Sequence, residues 1–560
     1  MSLSSLKDII FKYSTSKSEI KYFWSTVYQT DPFFEDVYLV VDLVFANGFR
    51  HRMATDDITI YDKNGKSISY SASLAEELNI TRAIELLSGQ AQQRTLSFRL
   101  SAREIKPLEI MKQTGLIAGF GEISLVKLGS SYELRYPLIV GDMVGGITFG
   151  VDEELMELQV SDPELTMNKL IPEHFISPER NPYASDANGE WNGERYPIVL
   201  HSYPAVPCLR LSAHTLGPPF LVCSGWDHKV ESVYIGSLEA YFKENDLIFG
   251  ANGYEVKEVL DGLGGKYIEI DFNYTSGMTP WEDGESVYAV VERKTSEQLK
   301  SGTVNRPTQP NTIIDLMEVL LQQYSVLGND FIDQSLLTNA RRKLKNYFAK
   351  ICINGSSSDN TADITSYIEQ TICGSFPMIN MVYTGFGYAP TVIDRRDKLI
   401  KIDLVRGQNL LFDRITSLTE SSREEVFNSF VLKYDYDPIS DNYLGIEIAD
   451  ETNDLLCSIS KVVAGSRTHE VIESPLIYDS ITAKEVIAWL TNHLTLPHYY
   501  VEYEGSPSLY FMLLLGDNIT LTDDKLGFTK VVCSVKKLEY TKGKCTIGLI
   551  LWFSYQGYIE

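Results

Sequence analysis

Near its end the chain alternates Cys545, Ile547, Leu549, Leu551 and Phe553 with Thr546, Gly548, Ile550 and Trp552. A strand turns successive side chains to opposite faces, so this run predicts a strand with one buried face. Residues 530–540 form a second extended run, joined to the first by Lys542 and Gly543, which suit a hairpin turn. Residues 518–522 supply a third strand, set off by Asp523, Asp524, Lys525 and Gly527. Three strands make an antiparallel sheet that can stand alone.

At 560 residues the chain exceeds one core and predicts several domains. The 33 Tyr, 24 Phe and 6 Trp suit strands and broad contact surfaces. A net charge of -25 opposes wrapping of nucleic acid by the surface as a whole. Cysteines 208, 223, 352, 373, 457, 533 and 545 stand singly and are odd in number. That spacing speaks against a CxxC zinc or redox motif and a complete disulfide framework, and reads as reduced, mostly buried thiols. Lys7, Asp8, Lys12 and Lys17 interrupt the N-terminal apolar residues, which therefore lack a signal-peptide core. No stretch has the roughly 18 apolar residues of a membrane-spanning segment.

In order, the pattern gives an N-terminal amphipathic arm at 1–35, with Leu6, Ile9, Ile10 and Tyr13 at helical spacing. Such an arm docks on a neighbour or on its own domain. Residues 36–160 read as a β-rich domain with a turn at Asn64 and Gly65 and one helix over 73–90, where Leu74, Leu78, Ile84 and Leu87 are apolar. Residues 161–215 are an extended, proline-containing linker; prolines 204 and 207 confine any strand there to an edge. Residues 216–300 form a second small β domain, and 301–400 a linker and helical segment with helices over 312–325, 333–351 and 363–372. Residues 401–560 complete a C-terminal α+β domain with a helix over 481–494. The fold class is α+β, predominantly β: several barrel- or sandwich-like modules with a helical insert.

The chemistry-bearing patterns each have a plainer explanation. Asp152, Glu153 and Glu154, or Glu424 and Glu425, are carboxylate neighbours of a glycosidase kind, and a solvated face explains them better. The eight histidines never fall at HxH or HxxxH spacing; His493 and His498 come nearest, with Pro497 between them. GxSxG is absent. The glycine-rich stretches 261–267 and 385–390 lack a Walker ending or a dinucleotide fingerprint and read as turns. Residues 185–194 carry oxygens for calcium but miss the EF-hand spacing. Arg341, Arg342, Lys343 and Lys345 read as a solvated helix face, or as a docking site for an acidic partner protomer. No catalytic, cofactor-binding or metal residue is assigned, and no cofactor is implied.

The run GDNITLTDDKLGF, with Gly516, Asp517, Thr522, Asp523, Leu526 and Gly527, followed by two closing strands, resembles the closing module of bacteriophage tail-tip and baseplate hub proteins. The helix IIDLMEVLLQQYS after a linker resembles the segment joining tube-like β domains in such hubs, and GERYPIVLHSYPAVPCLRL resembles a tail-protein pattern, with Leu200 and His201 replacing its Phe-Gly. The resemblance implies a structural, non-enzymatic virion protein made in the host cytoplasm. It implies a homotrimer closing the tail tube, with the tube protein, the spike and other baseplate proteins as partners. DNA would meet it only by passing through an acidic lumen. Other classes are a host-receptor or glycan-binding adsorption protein and a polysaccharide depolymerase.

Overall fold

Strand Val37–Val44 reads VYLVVDLV, apolar at every position but two, because both of its faces are covered. Val41 and Leu43 enter the main core, while Val40 joins Ala54, Ile58, Ile60, Ile68 and Tyr70 in a smaller one. The computed structural model describes residues 16–552 except 46–49, 76–77, 88–94, 102–118, 144–147, 150–154, 164–169, 174–175, 178, 181–193, 212–218, 226, 236–237, 243–246, 249–250, 253, 273–285, 295–311, 327–330, 355–361 and 409. Within them the fold is α+β and predominantly β.

Val37–Val44 sits mid-way in a nine-stranded sheet between Arg50–Ala54 and Phe120–Lys127. The hairpin Ile58–Tyr61/Ser67–Ala72 turns at Asn64 and Gly65 as the sequence predicts; Gly65 has φ +79°, and Asp62 Oδ1 accepts from the amides of Asn64 and Lys66. Helix Lys17–Thr30 opens on a capping box between Ser16 and Glu19. It packs on its own chain: Ile20, Trp24 and Val27 are buried in the main core, and Trp24 Nε1 donates to the carbonyl of Leu134 at 2.7 Å. Leu6, Ile9, Ile10 and Tyr13 lie outside the described residues.

The closing sheet carries the three expected strands, Asn518–Asp523, Phe528–Thr541 and Lys544–Leu551, extended by Ile400–Val405, Tyr499–Gly505 and Leu411–Glu420. Two expectations fail here. Among the described residues of 73–90 the predicted helix is absent; Ile80–Ala83 is a strand paired with Phe528–Thr541. Asn518–Asp523 covers only residues 528–534 of that long strand, so residues 537–540 need another partner, and the alternation Ile80, Arg82, Ile84 supplies it. Burial is also two-sided at the end of the last strand, where Ile550 and Trp552 are covered as well as Leu549 and Leu551. Trp552 donates to Ser534 Oγ at 2.8 Å and meets the rings of His493 and His498. Phe553 lies outside the described residues.

A second β module of seven strands has its own core around Val206, Val222, Val233, Ile268 and Ala289. Tyr203–Arg210, expected as linker or edge, is an internal strand of it. Its prolines are tolerated because residues 203–208 bond only to Val287–Arg293, across a bulge, while the other neighbour, Phe220–Ser224, pairs only at Leu209 and Arg210.

The third core is largely helical: Ile313–Tyr324 capped by Thr312, Gln334–Lys343 capped by Asp333, residues 364–375 begun by Asp363, and Ser480–Leu494 capped by Asp479. The second of these stops at Lys343, well short of residue 351. Short pairings of Leu170–Ile171 with Ala362–Asp363, and of Ile198–Val199 with Cys352–Ile353, fasten the 161–215 segment to it. Helix Leu455–Ala464 and the short helix Leu509–Met512 have no counterpart among the elements expected from sequence.

Candidate functional site

The motif at 516–527 folds as a lock around two aspartates. Gly516 has φ +80°, and a Cβ there would lie 2.5 Å from the Val392 carbonyl oxygen. Asp517 accepts from the Leu514 amide at 2.9 Å and from Asn339 Nδ2 at 3.2 Å. Asp523 is buried and accepts from Tyr503 OH at 2.6 Å, Arg406 Nη1 at 3.0 Å and the amides of Lys525 and Leu526. Burial works to raise its pKa, but the Tyr503 and Arg406 hydrogen bonds prevail and hold it below the usual carboxylate range. Gly527, at φ +74°, closes the turn. The motif thus shapes the sheet end, and the carboxylates of Asp517 and Asp523 are engaged with the chain itself.

Sequence reasoning missed a second cluster, in the N-terminal sheet. Asp42 and Glu122 stand directly opposite each other on paired strands, and both are buried. Arg52 Nε lies 2.9 Å from Asp42, and Tyr70 OH 2.7 Å. Arg135 clamps Glu122 through Nε at 2.6 Å and Nη2 at 3.0 Å, and Ser124 Oγ donates to the same carboxylate. Burial, and then the facing Glu122, push the Asp42 carboxyl above its usual range. The cavity beside them, about 10 Å³, has about the space for one water and none for a sugar ring. The available signal was Asp42 itself, a lone carboxylate inside an apolar strand.

His493 and His498 are both buried: His493 stacks on Trp489 and accepts from the Arg395 amide at 2.9 Å. Burial lowers their pKa to about 3 and about 4. Among the described residues no group of three His, Cys, Asp or Glu side chains is placed to hold a metal. All seven cysteines are free, and five are buried. Residues 261–267 form a hairpin turn in which Asp261 accepts from the amides of Leu263 and Gly265 and from Arg180. Residues 385–390 lie in the hairpin Ile379–Thr384/Gly387–Val392. Glu425 accepts from Tyr500 OH. Asp152, Glu153 and Glu154, and residues 185–193, lie outside the described residues.

The basic cluster is not simply a solvated face. Arg341 bonds Asp315 and Glu318, Arg342 chelates Asp397, and Lys343 is buried, donating to the carbonyls of Val392 and Gly516. Lys345 is exposed. Internal carboxylates and carbonyls therefore occupy the charges that a partner protomer would have met.

The outer surface departs from the usual polar cover around one unit. Seventeen large hydrophobic residues are exposed among the described residues, and eight of them fall between 444 and 481. Among the described residues no helix is long and apolar enough to cross a membrane.

Neither a protein-family model nor a curated protein matches the chain. Solved structures similar to parts of it include a chain of the virion of the native gene transfer agent particle, at 12% identity and TM-score 0.18, covering 50% of this chain and 94% of that one. A chain of the half-lidded Francisella PdpA-VgrG complex aligns at 8% identity and TM-score 0.33, covering 99% and 65%. A chain from a topological model of the p2 virion baseplate in its activated conformation aligns at 9% identity and TM-score 0.23, covering 92% and 99%.

Proposed function

We propose that the protein is a structural component of a phage-type tail or baseplate: a hub that closes the tail tube and joins it to the spike, as a homotrimer, performing no reaction. The observation that carries the reading is the presence of two β modules in one chain, a nine-stranded and a seven-stranded sheet with largely separate cores. Three copies then offer six β surfaces, which suits a six-fold tube ring on one side and a three-fold spike on the other. The resemblance of residues 516–527 to the closing module of tail hubs agrees with it. A net charge of -25 suits a lumen that passes DNA without holding it, since adhesion depends on phosphate neutralisation by Lys and Arg.

Mass measurement in solution together with electron microscopy of the purified chain tests the reading. Three copies around a central hole are expected. A monomer at micromolar concentration, or a lumen lined by basic residues, defeats it.

A further inference from the structure

Strands Arg50–Ala54, Ile58–Tyr61 and Ser67–Ala72, at one end of the nine-stranded sheet, frame a surface concavity of about 480 Å³. That lies within the roughly 300–1,000 Å³ of small-molecule sites, unlike the single-water space beside Asp42 and Glu122. Its polar lining is Arg50 and Arg52 from the first strand, Asp57 and Thr59 around the start of the second, and Ser69 and Ser71 from the third.

Arg52 is aimed from beneath. Strand alternation puts it on the same face as Arg50, directly opposite Asp42 on the neighbouring strand. Its Nε donates to Asp42 at 2.9 Å, and its guanidinium carbon lies 5.9 Å from the Tyr132 ring centre. The side chain is 27% exposed, and among the described residues Nη1 and Nη2 make no hydrogen bond. A guanidinium held by Nε presents those two nitrogens as a planar fork, which matches the paired oxygens of a carboxylate or a phosphate.

The rest of the lining suits hydroxyl groups. Thr59 Oγ1 and Ser69 Oγ lie 3.1 Å apart, and Ser71 Oγ donates to the Arg52 carbonyl at 3.2 Å. Asp57 accepts from the Ala72 amide through Oδ1 at 2.8 Å, while its Oδ2 makes no hydrogen bond among the described residues. Asp42 and Asp57 offset the charges of Arg50 and Arg52, so no positive field gathers a polyanion here and recognition rests on the fork. Ile58 and Tyr70, which complete the lining, are 6% and 2% exposed and leave no open apolar wall on which a nucleobase could stack. A bare anion would use the fork but bring nothing to donate to Asp57, whereas a sugar hydroxyl does.

We infer that this concavity binds a saccharide carrying one acidic group, with the carboxylate or phosphate on the Arg52 fork beside Arg50 and the hydroxyls on Asp57, Thr59, Ser69 and Ser71. The site is built within one chain, so it stands independently of the hub reading.

The test is calorimetric titration of the full chain with glucuronate, glucose 6-phosphate, a uronic-acid oligosaccharide, glucose and acetate. The acidic sugars are expected to bind about tenfold more tightly than glucose or acetate. Tightest binding of the oligosaccharide assigns the ligand to a surface polymer, and tightest binding of glucose 6-phosphate assigns it to a free sugar phosphate; either upholds the site. Arg52→Lys keeps a cation beside Asp42 but removes the fork, and is expected to weaken binding of the acidic sugars about tenfold. Arg50→Gln and Thr59→Val, both at exposed positions, are expected to weaken it about threefold with unchanged circular dichroism, and they decide the matter if Arg52→Lys does not fold. The inference is overturned if no probe binds at millimolar concentration, if glucose or acetate binds as tightly as glucuronate, or if the folded variants keep the wild-type affinity.

Discussion

Lys21 Nζ lies 2.8 Å from Asp333 Oδ1, an ion pair spanning 312 residues of sequence. Asp333 caps helix Gln334–Lys343 through the Ser335 amide and accepts from Thr384 Oγ1 at 2.8 Å. Lys21 also donates to Ser335 Oγ and sits 4.6 Å from the Phe386 ring centre. The N-terminal helix is in this way pinned to the helical core, with the carboxylate buried at the junction.

Lys21→Met tests that pin. Burial alone would raise the Asp333 pKa, and Lys21, Thr384 and the Ser335 amide together hold it below 3.8. Removing the ammonium leaves a buried charge without its partner, a loss of about 3 kcal/mol by urea unfolding. Because the folded pKa is depressed, the stability from Asp333 is present above about pH 4 and lost as the pH falls through the folded value. In the variant that acid limb moves to higher pH. An unchanged midpoint and limb would mean that the helix does not dock there in solution.

Gly516 and Gly527 separate steric from conformational cost. Both have positive φ, +80° and +74°, but an added Cβ meets the Val392 carbonyl at Gly516 and nothing within 4 Å at Gly527. Gly527→Ala therefore pays only the left-handed backbone term, about 1 kcal/mol. Gly516→Ala adds a backbone clash, and a loss of about 3 kcal/mol is expected in the same unfolding experiment. Equal losses at the two sites would show that the 516 turn is not held against Val392.

The facing acids Asp42 and Glu122 distinguish scaffold from enzyme. As scaffold, Arg135→Met strands the buried Glu122 carboxylate beside Asp42 and costs about 3–5 kcal/mol, while Glu122→Gln leaves any glycan-directed property unchanged. As a hydrolytic pair, Glu122→Gln abolishes the release of reducing ends from host polysaccharide and leaves the fold intact. The expected outcome is the first, read by thermal unfolding and a reducing-sugar assay.

What the sequence made legible followed from local periodicity. Cys545 to Leu551 alternate as a strand must, Thr312 sits where a helix cap belongs, and Gly65 and Gly543 mark real turns. The misses arose where distant chain decides. Ile80–Ala83 has helical neighbours in sequence but completes a strand more than 450 residues away, as the pairing of Ile80 with Tyr540 shows. Tyr203–Arg210 is internal despite two prolines because one side of it is free of ladder bonds where they fall. Helix Leu455–Ala464 escaped notice because its large apolar residues face outward, so no inward stripe announced it. Asp42 and Glu122 are 80 residues apart and meet only through strand register.

Three buried histidines make stability fall in mild acid. Burial lowers the pKa of His228 to about 4, of His493 to about 3 and of His498 to about 4, against 6.5 in the unfolded chain. Between these values and 6.5 the unfolded chain binds more protons, so each histidine's contribution is complete above about pH 6.5 and declines as the pH falls. From pH 6.5 to 5 each withdraws about 2 kcal/mol. His498→Phe keeps a ring of similar size beside Trp552 and removes one proton-binding site. Measured by urea unfolding at pH 6 and pH 5, the variant is expected to lose about 1 kcal/mol less stability over that interval than the wild-type chain. Equal losses in the two proteins would mean that His498 is not held neutral in the folded chain.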